Sequence, residues 1–312
     1  MTVLPAAGQS VTGADAAGPA SSRIALIQAP LPWWGWAGLL FGFTVVLGII
    51  AVIGGIGGGV MFVPVVAAVF PFHFDFVRGA GLMVALCGAL SATPVLLRRG
   101  IADIRLGLPL ALFGSMGAIG GAFLGLAMPV GVAEGLLGVT ILGIVILMVS
   151  ARRANYPTID RSDGITQFLG IGGVYFDERR GEAIPWNVHR TPVALGVYLG
   201  IGLIGGMFGV GAGWANVPAL NLLLGAPLKV AVGTSAFIMT LNASAATWVY
   251  INGAAILPLV TVPSVAGIMI GTRIGAQILP RVRSRSIRNI VIGLLALAGI
   301  RSAFAGILEI AR

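Results

Sequence analysis

The chain consists of long apolar runs divided by short polar breaks. Trp36–Ile53, Gly79–Leu97, Leu106–Met128, Val132–Val149, Val193–Phe208, Ala231–Ile251, Leu257–Leu279 and Ile290–Ile310 approach or exceed the length of a membrane-spanning helix, about 20 apolar residues. Two further runs, Val60–Phe70 and Trp214–Leu224, have about half that length, and each follows a glycine cluster. Trp33, Trp34 and Trp36 stand at the first entry point, where an interfacial aromatic belt is expected. Arg152 to Arg190 is polar and charged throughout, apart from an apolar patch at Gly173–Phe176 that predicts a short strand or hairpin. The pattern reads as an all-α, polytopic transmembrane helix bundle. Residues 1–32 form a disordered N-terminal tail, 33–150 a first transmembrane repeat, 151–190 a polar cytoplasmic linker and 191–312 a second repeat.

The halves resemble each other. Gly55-Ile-Gly57-Gly58-Gly59-Val-Met-Phe-Val63-Pro64 aligns with Gly209-Val-Gly211-Ala-Gly213-Trp-Ala-Asn-Val217-Pro218 at an offset of 154. Gly117-xxx-Gly121 aligns with Gly271-xxx-Gly275 at the same offset. Between these anchors Gly81 pairs with Gly233 and Gly100 with Gly253, with small shifts of register. Three anchors in one order predict an internal duplication.

Composition strengthens the membrane reading. Hydrophobic residues make up 57% of the 312 and charged residues only 9%, with a mean hydropathy of +1.01. A soluble domain carries about 25% charged residues, so a water-soluble fold of this make-up would expose apolar patches and aggregate. The 48 glycines follow no collagen period; in membrane helices they let backbones approach closely. Net charge is +9, but the cations cluster between apolar runs, as in loops that fix a membrane topology, and this argues against nucleic-acid binding. Cys87 is the single cysteine, which excludes an intramolecular disulfide and a thiolate metal cluster. No metal or cofactor is expected.

Charge placement orients the repeats. Arg98, Arg99 and Arg105 follow the third segment of the first half, whereas the matching turn around Asn252 and Gly253 is uncharged. Lys229 and the Arg281–Arg288 cluster lie where the first half has Arg78 alone or no cation. Counting the short segments as crossings gives five per half, an inverted second copy, both termini outside and most of the 19 Lys and Arg residues in the cytoplasm. Counting them as re-entrant gives four plus four and puts the Arg281–Arg288 cluster outside, against the positive-inside rule.

Inverted repeats with glycine-broken helices suggest an anion site near the bilayer middle. The first amides of a helix lack intrahelical acceptors and sit at the positive end of its dipole. Gly57, Gly58 and Gly59 in one half, and Gly211 and Gly213 in the other, are the candidate cradle; close packing alone is the plainer use for such glycines. Trp214, Asn216, Thr234, Ser235 and Asn242 are the candidate polar contacts, with Ser91, Thr93 and Phe62 as less polar counterparts. Arg273 lies inside an apolar run and is either an anion contact or a side chain that snorkels to the interface. Arg301 sits nearer the middle of its run. His73, Asp75 and Arg78 are read as a short solvated loop, with gating or proton relay as the alternative.

The stretch Gly205-Gly-Met-Phe-Gly-Val-Gly-Ala-Gly213-Trp-Ala-Asn-Val-Pro218, followed by Gly233-Thr-Ser235-Ala, resembles the TauE/SafE family of membrane transporters over residues 36 to 310. The resemblance implies a secondary transporter of small anions in the cell (inner) membrane, exporting sulfite or organosulfonate-type sulfur compounds. It also implies drive by an ion gradient, with a proton or sodium as the coupling ion. The absence of a Gly-x-x-x-x-Gly-Lys-Ser/Thr loop agrees with a carrier that does not use ATP. Its glycine motifs mark a family rather than a substrate or an oligomeric state. Two other classes compete: a membrane assembly or sensor component docking a partner on the linker, and an intramembrane enzyme. The enzyme is disfavoured because no membrane segment after Ser235 carries a histidine base and no long apolar run carries an Asp.

Overall fold

The computed structural model of the protein describes residues 33–54, 58–70, 72–150, 163–177, 182–278, 293, 295–304 and 306. The first half comprises α1 (Trp33–Gly54), α2 (Gly58–Val69), α3 (Phe74–Arg98), α4 (Ile104–Ala127) and α5 (Val130–Ser150). A short helix α6 (Gly164–Phe168) and an antiparallel hairpin of β1 (Gly173–Asp177) and β2 (Glu182–Trp186) follow. The second half comprises α7 (Thr191–Phe208), α8 (Gly213–Pro218) running into a π-helical turn at Ala219–Leu223, α9 (Leu228–Asn252), α10 (Pro258–Ile278) and α11 (Leu295–Phe304). Among the described residues, α1, α3, α4, α5, α7, α9 and α10 are long and apolar enough to cross a membrane, while α2 and α11 are shorter apolar helices. The protein is a multi-pass membrane protein.

Contacts fix the direction of each helix. Gly58 starts α2 beside Leu47, within α1, and Phe70 just past its end meets Trp36 with ring centroids 5.4 Å apart. The short helix therefore runs back to the side where α1 began. The second half repeats this: the His189 amide, just before α7, donates to the Leu224 carbonyl at 3.2 Å. Two faces result. A linker face carries α6, the hairpin, the α3–α4 turn and the starts of α7 and α9. A distal face carries the start of α1, the α2–α3 break and the α4–α5 and α9–α10 turns.

The halves pack reciprocally: α4 lies on α7 as α10 lies on α1, and α9 lies on α4 as α3 lies on α10. A Cβ on Gly117 or Gly121 would collide with the carbonyls of Leu199 or Leu203. Adding 154 to the first number of each pair and subtracting it from the second gives Gly271 against the Val45 carbonyl and Gly275 against the Ile49 carbonyl, and both contacts exist. These seams are parallel. Helices α3 and α9 instead cross antiparallel, since Thr93 meets Thr240 at 3.3 Å while Leu82 clusters with Tyr250.

One register is corrected. Gly81 was expected to match Gly233, yet Gly79 packs on the Ala255 carbonyl as Gly233 packs on that of Ile101, again offset by 154. Helix bounds agree, α3 starting at Phe74 and α9 at Leu228. Gly100 is likewise not the partner of Gly253, which caps α9 where Arg99 caps α3.

Ile171, Trp186 and Val188 of the linker are buried against the core of α4, α7 and α9, and a polar clasp adds to them. Asp163 caps α6 and accepts from the Thr191 amide at 2.8 Å and the Thr191 hydroxyl at 3.1 Å, joining the linker to the start of α7. Burial raises the Asp163 pKa, but the hydrogen bonds from Thr166 and Thr191 outweigh it and hold the carboxyl below its ordinary 3.8. A depressed pKa gives stability that is complete above the unfolded value and lost as pH falls through the folded one. The clasp is expected to loosen only below about pH 4, and Asp163→Ala to loosen it at neutral pH. Protease nicking of the linker in detergent, with and without the substitution, checks both expectations.

Candidate functional site

A cleft of about 420 Å³, part of it open to the outside, lies where the halves meet. Ala51 and Val52 of α1, Gly58 of α2, Gly88, Ala89, Ala92 and Leu96 of α3, Val232, Ser235, Ala236 and Met239 of α9 and Thr272 of α10 line it. Each of the α1, α3, α9 and α10 residues lies in the half of its helix nearer the linker face. The cleft therefore lies between the bilayer middle and the linker face.

The walls are mostly apolar, with three sources of polarity. Gly58 opens α2, a 12-residue helix whose first amides have no intrahelical acceptor. Ser235 presents its hydroxyl on α9. Thr272 donates to the Ile268 carbonyl at 2.8 Å, which leaves its lone pairs for the cleft. Among the described residues, no charged side chain lines the cleft.

The candidates chosen from sequence divide into several groups. Gly58 and Ser235 line the cleft. Asn216 stands directly behind: fully buried on α8, its Nδ2 donates to the Ser235 carbonyl at 3.5 Å, and its Oδ1 has no partner among the described residues. Gly59 packs on the Val210 carbonyl, so the two glycine-led starts touch. Gly211, at φ +68°, packs on Ala85 and Met239, and Gly213 begins α8. Trp214 is half-buried against the apolar cores of both halves, its indole N–H without a partner among the described residues. Gly57 lies outside the described residues, as does the Arg281–Arg288 cluster.

Others serve elsewhere. The Thr234 hydroxyl accepts from the Asp103 amide at 3.0 Å and anchors the α3–α4 turn. Asn242 faces α4, where its Oδ1 accepts from the Ser115 hydroxyl at 3.2 Å and Gly114 leaves it room. Arg273 points outward from α10 and is exposed, so the cleft receives its neighbour Thr272 instead. Arg301 is also exposed.

The solvated loop expected at residues 73–78 is not found. His73 caps α3, Asp75 lies in its first turn, and Arg78 is fully buried. Arg78 pairs with Asp75, donates to the carbonyls of Gly125 at 2.9 Å and Met207 at 3.3 Å, and places its Cζ 4.9 Å from the Phe74 ring centroid. Those carbonyls end α4 and α7, where the helix dipoles are negative and a cation is favoured. The signal available in sequence was the Asp75-to-Arg78 spacing, which brings an ion pair together on one helical face.

Comparison with known proteins agrees with this architecture. The family described as "Sulfite exporter TauE/SafE" matches residues 40–302. The "Probable membrane transporter protein YunE" of Bacillus subtilis (strain 168) is 27% identical over 278 residues, covering 86% of this chain and 98% of the relative. No solved structure matches. With a match that runs from α1 to α11, the chain belongs to the TauE/SafE family of membrane transporters.

Proposed function

We propose that the protein is a secondary carrier of small singly charged sulfur anions, sulfite in its hydrogen form or organosulfonates, built from two inverted repeats in the cell membrane and working by alternating access. The observation that carries this reading is the cleft at the start of α2, which is walled by neutral donors. Helix-start amides and hydroxyls hold a sulfonate-type oxygen without the cost of burying a side-chain charge. With no cation among the described residues of the wall, one negative charge is better matched than two. The Gly58 amide and the Ser235 hydroxyl make the contacts, and Asn216 supports the Ser235 backbone. The antiparallel crossing of α3 and α9 and the reciprocal seams support the inversion. An ion gradient, of protons or sodium, drives the cycle, and the outward direction is export.

Counterflow in proteoliposomes tests the proposal. Vesicles loaded with unlabelled sulfite or an alkylsulfonate are expected to accumulate labelled substrate, whereas an equally small quaternary ammonium cation is not carried. Accumulation of the cation, or of no sulfur anion at all, would overturn the assignment.

A further inference from the structure

The two ends of the bundle differ, although the repeat makes them equivalent. Leu96, Val232 and Ala236 line the cleft near the linker face. Their counterparts at the 154 offset, Tyr250, Arg78 and Leu82, lie near the distal face, where the large side chains of Tyr250 and Arg78 are fully buried. The cleft is thus filled in at its mirror position.

Polar chemistry accounts for the difference. The Tyr250 hydroxyl, on α9, donates to the carbonyls of Gly206 at 3.1 Å and Met207 at 3.0 Å. Arg78, on α3, donates to Gly125 and to Met207 as well. Two donors on the crossed α3–α9 pair therefore grip the ends of α4 and α7. Leucine and valine at the mirror positions, Leu96 and Val232, have no donor, and on the linker face it is the exposed Arg99 that reaches the end of α10, at the Gln277 carbonyl 3.4 Å away.

We propose that Arg78 and Tyr250 are the distal gate of the carrier, with Asp75 positioning the guanidinium. Opening breaks the bonds to Gly125, Gly206 and Met207, lets α3 and α9 tilt away from α4 and α7, and exposes the mirror cleft. The gate rests on the alternating-access reading but not on the identity of the substrate. Neither residue touches substrate in the closed state, and both set which face the central site meets.

Side-specific thiol labelling tests it. In full-length Cys87→Ser protein, Ser235→Cys places one thiol in the cleft, and an impermeant maleimide is added to right-side-out or inside-out vesicles. With the gate intact, labelling from the linker face is expected to exceed that from the distal face by about tenfold or more, the factor that corresponds to about 1.4 kcal/mol. Tyr250→Phe is expected to raise distal labelling severalfold and Arg78→Met to raise it further, while linker-face labelling falls as the population shifts. A merely structural role would instead raise labelling from both faces. Equal labelling of both faces before substitution, or unchanged distal labelling in a Tyr250→Phe protein that stays monodisperse, overturns the proposal. Tyr250→Phe removes a single oxygen, so the test stands even if Arg78→Met fails to fold. Gate opening without sulfur-anion counterflow would refute the substrate alone, and counterflow with no change in labelling would refute the gate alone.

Discussion

Gly121→Ala is expected to lower the melting temperature of the detergent-solubilised protein sharply, and Gly121→Val to remove the folded peak altogether. In a helix the change to alanine alone is worth up to about 1 kcal/mol of stabilisation. Here the added Cβ would overlap the Leu203 carbonyl. That atom belongs to the backbone of α7, so no side chain can turn aside and the seam must open along its length. Overpacking of a close-packed contact costs about 1–3 kcal/mol, out of a total stability of about 5–15 kcal/mol. A β-branched side chain in such a seam exceeds that range. Gly271, against the Val45 carbonyl, is the counterpart of Gly117 in the matching seam and should respond alike. Gly120, the next residue along α4, has nothing within 4 Å of its Cβ position; Gly120→Ala should therefore be neutral or stabilising. Thermal melting followed by monodispersity ranks the variants, and a Gly121→Ala protein as stable as Gly120→Ala would refute the seam.

The second large effect concerns transport alone. Ala92→Phe puts a ring into the cleft from α3 and is expected to abolish counterflow in a protein that still elutes as one species. Ser235→Ala removes one hydroxyl from the wall. A hydrogen bond to a charged group is worth about 1.5–3 kcal/mol, so the half-saturating anion concentration should rise by about tenfold or more. Maximal flux is expected to change less, because the helix-start amides remain. Saturation curves in proteoliposomes separate the two parameters; Ser235→Ala kinetics equal to those of the unsubstituted protein would remove Ser235 from the site.

Much of the architecture was legible in the sequence, and the reasons are physical. Membrane helices must satisfy their backbone internally and turn apolar groups to lipid, so the apolar runs up to α10 each announced a helix within a few residues of its described ends, while both ends of the run Ile290–Ile310 lie outside the described residues. The hairpin at 173–186 followed from one apolar patch in a charged stretch. Rotation about each helix axis was not legible. Lipid and protein interior are equally apolar, so the sequence carries almost no amphipathic signal to show which side faces inward. For this reason Arg273 was a candidate although it points outward, and Thr272 was missed although it lines the cleft. Arg78 was misread on other grounds. A cation near a run's edge suggests solvent, and only tertiary packing brings the ends of α4 and α7 onto it. The Gly79 and Gly81 ambiguity reflects glycine abundance, which offers several registers until a contact such as Gly79 to Ala255 selects one.

The account depends on two halves of opposite orientation that enclose a cleft toward the linker face. Single cysteines in the Cys87→Ser protein, at Arg99 in the α3–α4 turn and at Asn252 before the α9–α10 turn, test this most directly. Both positions are exposed, Arg99 capping the end of α3 and Asn252 ending α9. Impermeant maleimide on oriented vesicles should label Arg99→Cys from the same face as a linker reporter at Phe168, which is 89% exposed, and Asn252→Cys from the opposite face. Labelling of Arg99→Cys and Asn252→Cys from one and the same face would contradict it.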